Sequence, residues 1–337
     1  MTWLLENKLL RRLVTVPVVY ISLVVVTMLL PLLLAIAALV DLMRFAGTRR
    51  PAMALRMLGF GWVYLLGESW ALITMALAGL LGRTRAVETT YALQRAWISW
   101  NFWALRIFFS LRFEVSGSDS IPPGPILLLS RHASLIDTML PATYVVRPHR
   151  INLKYVLKRE LLADPAIDIG GNRLPNHFVD RGADDAQAEL SAIKRLGTNL
   201  STNEGVLIYP EGTRFSEAKR VKYVARLSDQ NGAIGELAQR LRRVLPPRPG
   251  GTLALLDASS ADVVLLMHKG LEGFASVKDI WSGGLVGTTI TVCFERIRRS
   301  EIPRERSARI EWLFETWKSI DTWVVAHETP RMTNNPD

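Results

Sequence analysis

The chain has 337 residues, 49% of them hydrophobic and 21% charged, and its 41 Lys+Arg against 31 Asp+Glu give a formal charge of +10. A mean hydropathy of +0.17 excludes a disordered polyelectrolyte, and the length allows a full core plus an accessory segment, roughly two structural units. Soluble nucleic-acid binders are basic but rarely so apolar, and polytopic transporters are apolar throughout; a basic, membrane-attached protein with one water-facing domain fits better, with no nucleic-acid partner.

The apolar residues lie early. Leu13 to Val40 carries no charge, a run longer than the roughly 20 residues that cross a bilayer core. Pro17 and Pro31 lie inside it, tolerable as kinks. Lys8, Arg11 and Arg12 precede it as in a signal peptide, but the run is too long and no small-residue cleavage site ends it, so it reads as a retained anchor. A second apolar stretch, Met57 to Gly82, has Glu68 near its middle. A carboxylate is costly in hydrocarbon: either Glu68 faces a partner helix, or the segment is re-entrant or interfacial. Arginines flank both stretches, so the positive-inside rule pulls on every side. A hairpin lying partly in one leaflet would leave all of them on the cytoplasmic side. Trp97, Trp100 and Trp103 then recur at three-residue spacing, along one broad side of a helix that either seats on the bilayer interface or packs on the core.

From about Arg112 the apolar runs shorten and turn residues appear. Ile126-Leu-Leu-Leu reads as a buried strand, with a helix opened by Ser134 as N-cap and running to about Tyr144. Tyr155-Val-Leu, Phe178-Val and Val206 to Tyr209 read as strands, with an amphipathic helix from Asp184 to Leu200. Gly232 to Leu245 reads as helical, Thr252 to Asp257, Val263 to Met267 and Thr288 to Phe294 as strands, and Glu305 to His327 as a last helix. Alternating strands and helices define an α/β domain. The expected divisions are 1–112 for membrane-anchoring helices, 113–300 for the α/β domain, and 301–337 for a C-terminal helix and a disordered tail. The lone cysteine, Cys293, sits in a strand-like run and reads as a core thiol; nothing points to an oxidising compartment.

Three constellations fall at strand ends. In Ser130-Arg-His-Ala-Ser-Leu-Ile-Asp, His132 would lie in the loop and Asp137 in the first turn of the helix, folded back toward it. An imidazole held by a carboxylate is an oriented general base; a loop histidine beside an acidic helix start would look the same. In Tyr209-Pro-Glu-Gly-Thr-Arg, glycine permits close backbone approach and Arg214 can grip a phosphate with two hydrogen bonds. An ordinary turn with a surface arginine reads equally well. His177-Phe-Val-Asp-Arg181 alone means little, and a surface ion pair is the default.

Together and in this order these residues resemble the glycerolipid (lysophosphatidic acid) acyltransferase family. Its first motif, Asn-His-x4-Asp, is matched by His132 and Asp137; its second ends in Phe-Val-x-Arg, matched by Phe178, Val179 and Arg181. Its third, Pro-Glu-Gly-Thr-Arg, is matched in full by Pro210 to Arg214. The resemblance covers about Phe113 to Gly270. Arg131 departs from the usual Asn before the histidine, and Leu245-Pro-Pro-Arg-Pro-Gly-Gly looks like the counterpart of the fourth motif, with Pro247 and Arg248 in that role.

The resemblance implies a mixed sheet flanked by helices, behind an N-terminal membrane-anchoring helical region. It implies an O-acyltransferase that moves a fatty acyl group from acyl-CoA or acyl carrier protein to the free hydroxyl of 1-acylglycerol-3-phosphate, giving phosphatidic acid. His132 would be the base and Asp137 its orienting partner. Arg181, Glu211, Gly212, Thr213 and Arg214 would hold the acceptor headgroup, and neither cofactor nor metal is implied. The domain would face the cytoplasm from the membrane, the inner one if the source is bacterial. The alternatives are another lysophospholipid acceptor, such as lysophosphatidylinositol or lysocardiolipin, a membrane-bound lipid hydrolase or thioesterase, or a lipid-binding scaffold.

Overall fold

A computed structural model describes residues 6–180, 186–228, 232–274 and 276–327. Arg181 and the expected tail therefore lie outside the described residues.

The first long helix is α1, Lys8–Met28, continued by α2, Leu30–Thr48. The 13–40 apolar run is thus two helices, parted at Leu29, with Pro31 in the first turn of the second. Proline fits there because its missing N–H would have no helical partner. α3, Ala54–Ala78, and α4, Arg83–Phe109, follow. α1, α2 and α3 are each long and apolar enough to cross a membrane.

α3 runs back antiparallel along both α1 and α2. Trp62 donates to Thr27 Oγ1 at 3.0 Å, Tyr20 donates to the Ser69 carbonyl at 3.3 Å, and Asp41 accepts the N–H groups of Met53, Ala54 and Leu55. α4 packs on α3 through Tyr64–Trp97 and Phe60–Phe109 ring contacts.

The α/β domain is built on β1, Arg112–Ser116, and β2, Ile126–Ser130, followed by α5, which comprises Met139–Pro141, the wider turn Ala142–Val146 and Arg147–His149. Then come β3, Asn152–Lys158, α6, Pro165–Gly171, β4, His177–Val179, α7, Ala186–Gly197, and β5, Glu204–Ile208. Next are α8, Glu217–Ser228, α9, Gly232–Gln239, α10, Pro249–Ala258, β6, Asp262–Lys269, α11, Val277–Ser282, β7, Thr289–Ile297, and α12, Arg306–Ala326. The strands form one sheet in the order β1-β7-β6-β2-β5-β3-β4. All neighbours are parallel except β6 and β7, the mixed sheet expected.

β2 is apolar at nearly every position because both its faces are covered. Ile126 and Leu128 enter a core with Phe102, Leu105 and Phe109 of α4; Leu127 and Leu129 enter the opposite core with Leu253 of α10 and Trp317 of α12. α12 is therefore part of the α/β domain rather than an appendage.

Three expected elements differ. Thr252 to Asp257 lies in a helix, α10, not a strand. A short apolar run without alternation suits either. Here Pro249 opens the helix, and Gly250 and Gly251 let it close on Leu190 and Ile208. Helix does not continue past Gln239, because Asp321 accepts the N–H groups of Arg242, Arg243 and Val244. Ser134 does not cap a helix; the chain from Arg131 to Thr138 is a loop, and regular helix begins at Met139.

Glu68 faces the α/β domain, accepting the Ala166 N–H at 2.9 Å near the start of α6. Beside it, Asp168 of α6 is gripped by Arg11 at 2.8 Å and Arg12 at 2.9 Å, and the Asp168 carboxylate is fully buried. Arg44, near the end of α2, donates to the Trp281 carbonyl of α11 at 2.9 Å and stacks over that ring. Both ends of the α1–α2 rod are thus tied to the domain. Asp168→Ala leaves the buried Arg11 uncompensated and is expected to cost about 3–5 kcal/mol. A lower thermal midpoint in detergent, with faster proteolysis near Lys8, is the measurement.

Candidate active site

The site lies at the carboxyl ends of the central parallel strands, where loops leave the sheet. β2 ends at Ser130, β5 at Ile208, and β6 contributes His268 near its end. His132 sits two residues beyond β2. Its Nδ1 lies 3.1 Å from both carboxylate oxygens of Asp137. The five-residue separation works because the segment is a loop: Asp137 folds back and also accepts the N–H groups of Ala133 at 2.7 Å and Ser134 at 2.8 Å. Burial alone would push the Asp137 carboxyl up. His132, His268 and the Ser134 N–H outweigh it and hold the group below its ordinary value. A carboxylate on Nδ1 fixes the tautomer with hydrogen there. Nε2 is then the basic nitrogen, on a side chain 11% exposed.

The backbone of His132 is held as firmly as its ring. Its N–H donates to Glu211 Oε1 at 2.9 Å, and its carbonyl accepts from the Phe215 N–H at 2.8 Å. The loop after β5 therefore clasps the loop after β2, and Tyr209 lays its ring on the imidazole, centroids 4.6 Å apart. The other Glu211 oxygen accepts the Leu245 N–H at 2.9 Å. Glu211 is fully buried, so this residue, expected to hold a headgroup, instead ties three loops together. Gly212 turns with φ +67°, a conformation that favours glycine. A Cβ there would stand 3.2 Å from the Arg248 side chain.

Arg248, whose N–H donates to the Pro210 carbonyl at 2.8 Å, thus adjoins the third motif. Thr213 is buried, and its hydroxyl accepts from Lys219 Nζ at 3.1 Å; Lys219 also donates to the Arg214 carbonyl. Arg214 is half-buried on the same loop. His132, Asp137, Glu211, Gly212, Thr213 and Arg214 come together, while Arg181 lies outside the described residues.

Sequence reasoning missed three supports. Arg131 is buried, donating to the carbonyls of His268 at 2.6 Å and Arg243 at 3.0 Å and to Glu272 at 2.7 Å. Its departure from the Asn of the resembled motif was the available signal. His268 is fully buried, its Nε2 3.1 Å from the Arg131 carbonyl and 3.6 Å from Asp137. Burial pulls its pKa down to about 4, so it is neutral at pH 7. A histidine ending an apolar strand run marked it. Tyr209, which ends a strand and heads the second constellation, was given no role there.

Residues 112–265 match the family described as Acyltransferase. A 1-acyl-sn-glycerol-3-phosphate acyltransferase of Pseudomonas aeruginosa is 33% identical over 131 residues, 38% of this chain and 47% of that protein. The epsilon 1-acyl-sn-glycerol-3-phosphate acyltransferase of Mus musculus is 23% identical over 220 residues, 59% of this chain and 57% of that one. A lyso-ornithine lipid O-acyltransferase of Pseudomonas aeruginosa is 30% identical over 112 residues, 33% of this chain and 40% of that one. The chain spans about half the length of the curated relatives it matches. The crystal structure of the 1-acyl-sn-glycerophosphate acyltransferase PlsC from Thermotoga maritima shares the fold, with TM-score 0.53 and 13% identity over 82% of this chain and 98% of that chain. These likenesses support the glycerolipid acyltransferase family as the one that residues 112–265 resemble.

Two outcomes follow from the loop clasp. Burial lifts Glu211 from 4.5 to about 7 against the pull of the His132 and Leu245 N–H groups. The folded chain then holds a proton that the unfolded chain has lost, so this contribution is complete below pH 4.5 and disappears as pH rises through about 7. Glu211→Gln should flatten the decline of thermal midpoint across that window. Arg131→Lys keeps the charge but not the fork, and should lower kcat about tenfold by loosening the His132 loop while leaving the acceptor KM near wild type.

Proposed function

We propose that the protein transfers a fatty acyl group from a thioester, acyl-CoA or acyl carrier protein, to the free hydroxyl of a lysophospholipid, with 1-acylglycerol-3-phosphate as acceptor and phosphatidic acid as product. The observation that carries this reading is the His132–Asp137 pair clasped by the Pro210–Arg214 loop through Glu211. Nε2 of His132 takes the hydroxyl proton as the oxygen attacks the thioester carbonyl. Asp137 stabilises the imidazolium. The C–S bond then breaks as the new C–O ester is kept, and the departing thiolate collects the proton from His132. A thiolate is a good leaving group, so one oriented base with proximity suffices. No step needs a metal or an organic cofactor.

Arg214 is proposed to grip the acceptor phosphate, with Gly212 allowing close backbone approach and Thr213 and Lys219 bracing the loop. Arg181, which follows β4 by two residues in the sequence, is proposed to join them. Arg248, beside Gly212 and stacked over Tyr223, adds charge at the same rim. This favours a phosphate-bearing acceptor over the zwitterionic amino-acid headgroup of a lyso-ornithine lipid.

The helical layer is proposed to lie in the plane of a membrane, with the catalytic domain on its cytoplasmic side. Support comes from the rod ends. α1 and α2 together extend about 60 Å at 1.5 Å per residue, yet Arg11 and Arg44 both bind the same domain. A helix that crossed the bilayer would carry one end away from that domain. Apolar side chains such as Leu13, Ile21, Leu32 and Leu42 stay exposed along the rod, and immersion in lipid removes that apolar surface from water, worth about 25 cal/mol per Å². Lysolipid and acyl chain then reach His132 without entering water.

His132→Ala should remove acyl transfer to background, and Asp137→Asn should lower kcat by roughly a thousandfold through the wrong tautomer. The decisive measurement is mass spectrometry of products from labelled acyl-CoA with a panel of lysophosphatidic acid, other lysophospholipids and lyso-ornithine lipid. Dominant phosphatidic acid is the expected result; acyl release that needs no acceptor would make the protein a thioesterase.

A further inference from the structure

A second basic site lies at the opposite end of the strands. Asn152 opens β3, and there a cleft of about 660 Å³ is lined by Arg95 and Ser99 of α4, Arg147 of α5, Arg150 and Asn152 itself. Three guanidinium groups and no carboxylate line it. Among the described residues none of the three arginines has an ion-pair partner, and Arg95 only donates to Asn152 Oδ1 at 3.3 Å. Arg150 ends α5 with φ +55°, an uncommon conformation for a residue other than glycine. His132 and the pentapeptide lie at the carboxyl ends of the strands, so this cleft is separate from them.

The sides of α4 say what kind of anion reaches the cleft. Phe102, Leu105 and Phe109 point into the core. Trp100, Trp103 and Ile107 are exposed at 41%, 52% and 53% on the side away from the sheet, the two indoles tilted against each other with centroids 5.6 Å apart. Helical periodicity sets Arg95 and Ser99 on the strip between these two sides. The arginines therefore stand where the outward apolar face ends and the polar domain begins. Tryptophan favours that depth in a bilayer, and arginine binds phosphate with paired N–H groups.

We propose that the Arg95–Arg147–Arg150 cleft binds the phosphate headgroup of an anionic bilayer lipid and so fixes the rotation of the domain on the membrane. The inference rests on the membrane-facing reading of the helical layer and not on acyl transfer. The bound lipid is a resident of the surface, not the acceptor.

The test is flotation of the full-length protein with phosphatidylcholine vesicles, with or without phosphatidylglycerol. Arg95→Gln/Arg147→Gln/Arg150→Gln should lose at least about tenfold of the anionic-over-neutral partition ratio, from about 1 kcal/mol per basic residue, while binding to pure phosphatidylcholine is unchanged. Lys194→Gln/Arg195→Gln/Arg240→Gln, which removes equal charge from exposed positions elsewhere, should stay within about twofold of wild type. Arg147→Gln alone, at an exposed position, should lose a few-fold with its thermal midpoint unchanged. An unchanged ratio in the cleft variants, an equal fall in the control, or an equal fall on both vesicle types overturns the proposal. So does reversal of the anionic preference by inorganic phosphate at constant ionic strength, which would mark a site for a soluble anion. If the wild type shows the anionic preference but no acyl transfer in detergent, the lipid site stands and the enzymatic reading falls.

Discussion

The buried carboxylate of Glu211 is the constraint on which the site depends. Three loops, after β2, after β5 and after α9, meet where the sheet's own hydrogen bonding has ended, so their backbone groups need other partners. Glu211 supplies two, one oxygen for His132 and one for Leu245. Each N–H left unpaired there would cost about 1–3 kcal/mol. The cost of this arrangement is a charge with no water around it, which is why its pKa is driven up. The imidazole is thereby held through its backbone and, by Asp137, through its ring. Little freedom is left to lose when a substrate arrives.

The same device recurs throughout the chain. Asp41, Glu68, Asp137 and Asp321 are buried acids, and each accepts N–H groups where a helix starts or a loop lacks partners. Asp168 instead accepts two arginines. In the apolar N-terminal third this explains how the buried acids Asp41 and Glu68 are tolerated: the first is a joint between rods and the second between a rod and the α/β domain. The rods are thus oriented by a few polar contacts, while their remaining apolar surface is left for a membrane. The two basic sites then stand at opposite ends of the strands, one beside the imidazole and one beside the exposed indoles of α4.

The sheet strands were legible because each is a short apolar run bounded by turn residues, and β2 and β6 are buried on both faces. α10 was not, since an apolar run without alternation suits a buried helix or a buried strand equally. What decided it was the space between α7 and the sheet that Gly250 and Gly251 allow a helix to fill. The end of α9 was misplaced because distant Asp321 takes the N–H groups of Arg242, Arg243 and Val244 that helical continuation would have used, and the start of α5 because Asp137 folds back onto the Ala133 and Ser134 N–H groups and holds the chain as a loop. No local propensity contains that information.

By itself the amino-acid sequence determined which residues could do chemistry and the family they resemble: a histidine and an aspartate five apart, an intact Pro-Glu-Gly-Thr-Arg, and an apolar third with runs long enough to cross a membrane. It also determined the alternation of strand and helix, because periodicity and turn residues are local properties. Only the tertiary structure decided that Glu211 is a brace, that Arg131 and His268 stand behind the pair, and that the α1–α2 rod is tied to the domain at both ends. Those facts depend on contacts between residues tens to more than a hundred positions apart. Burial and hydrogen-bond satisfaction are settled only once the chain has closed on itself.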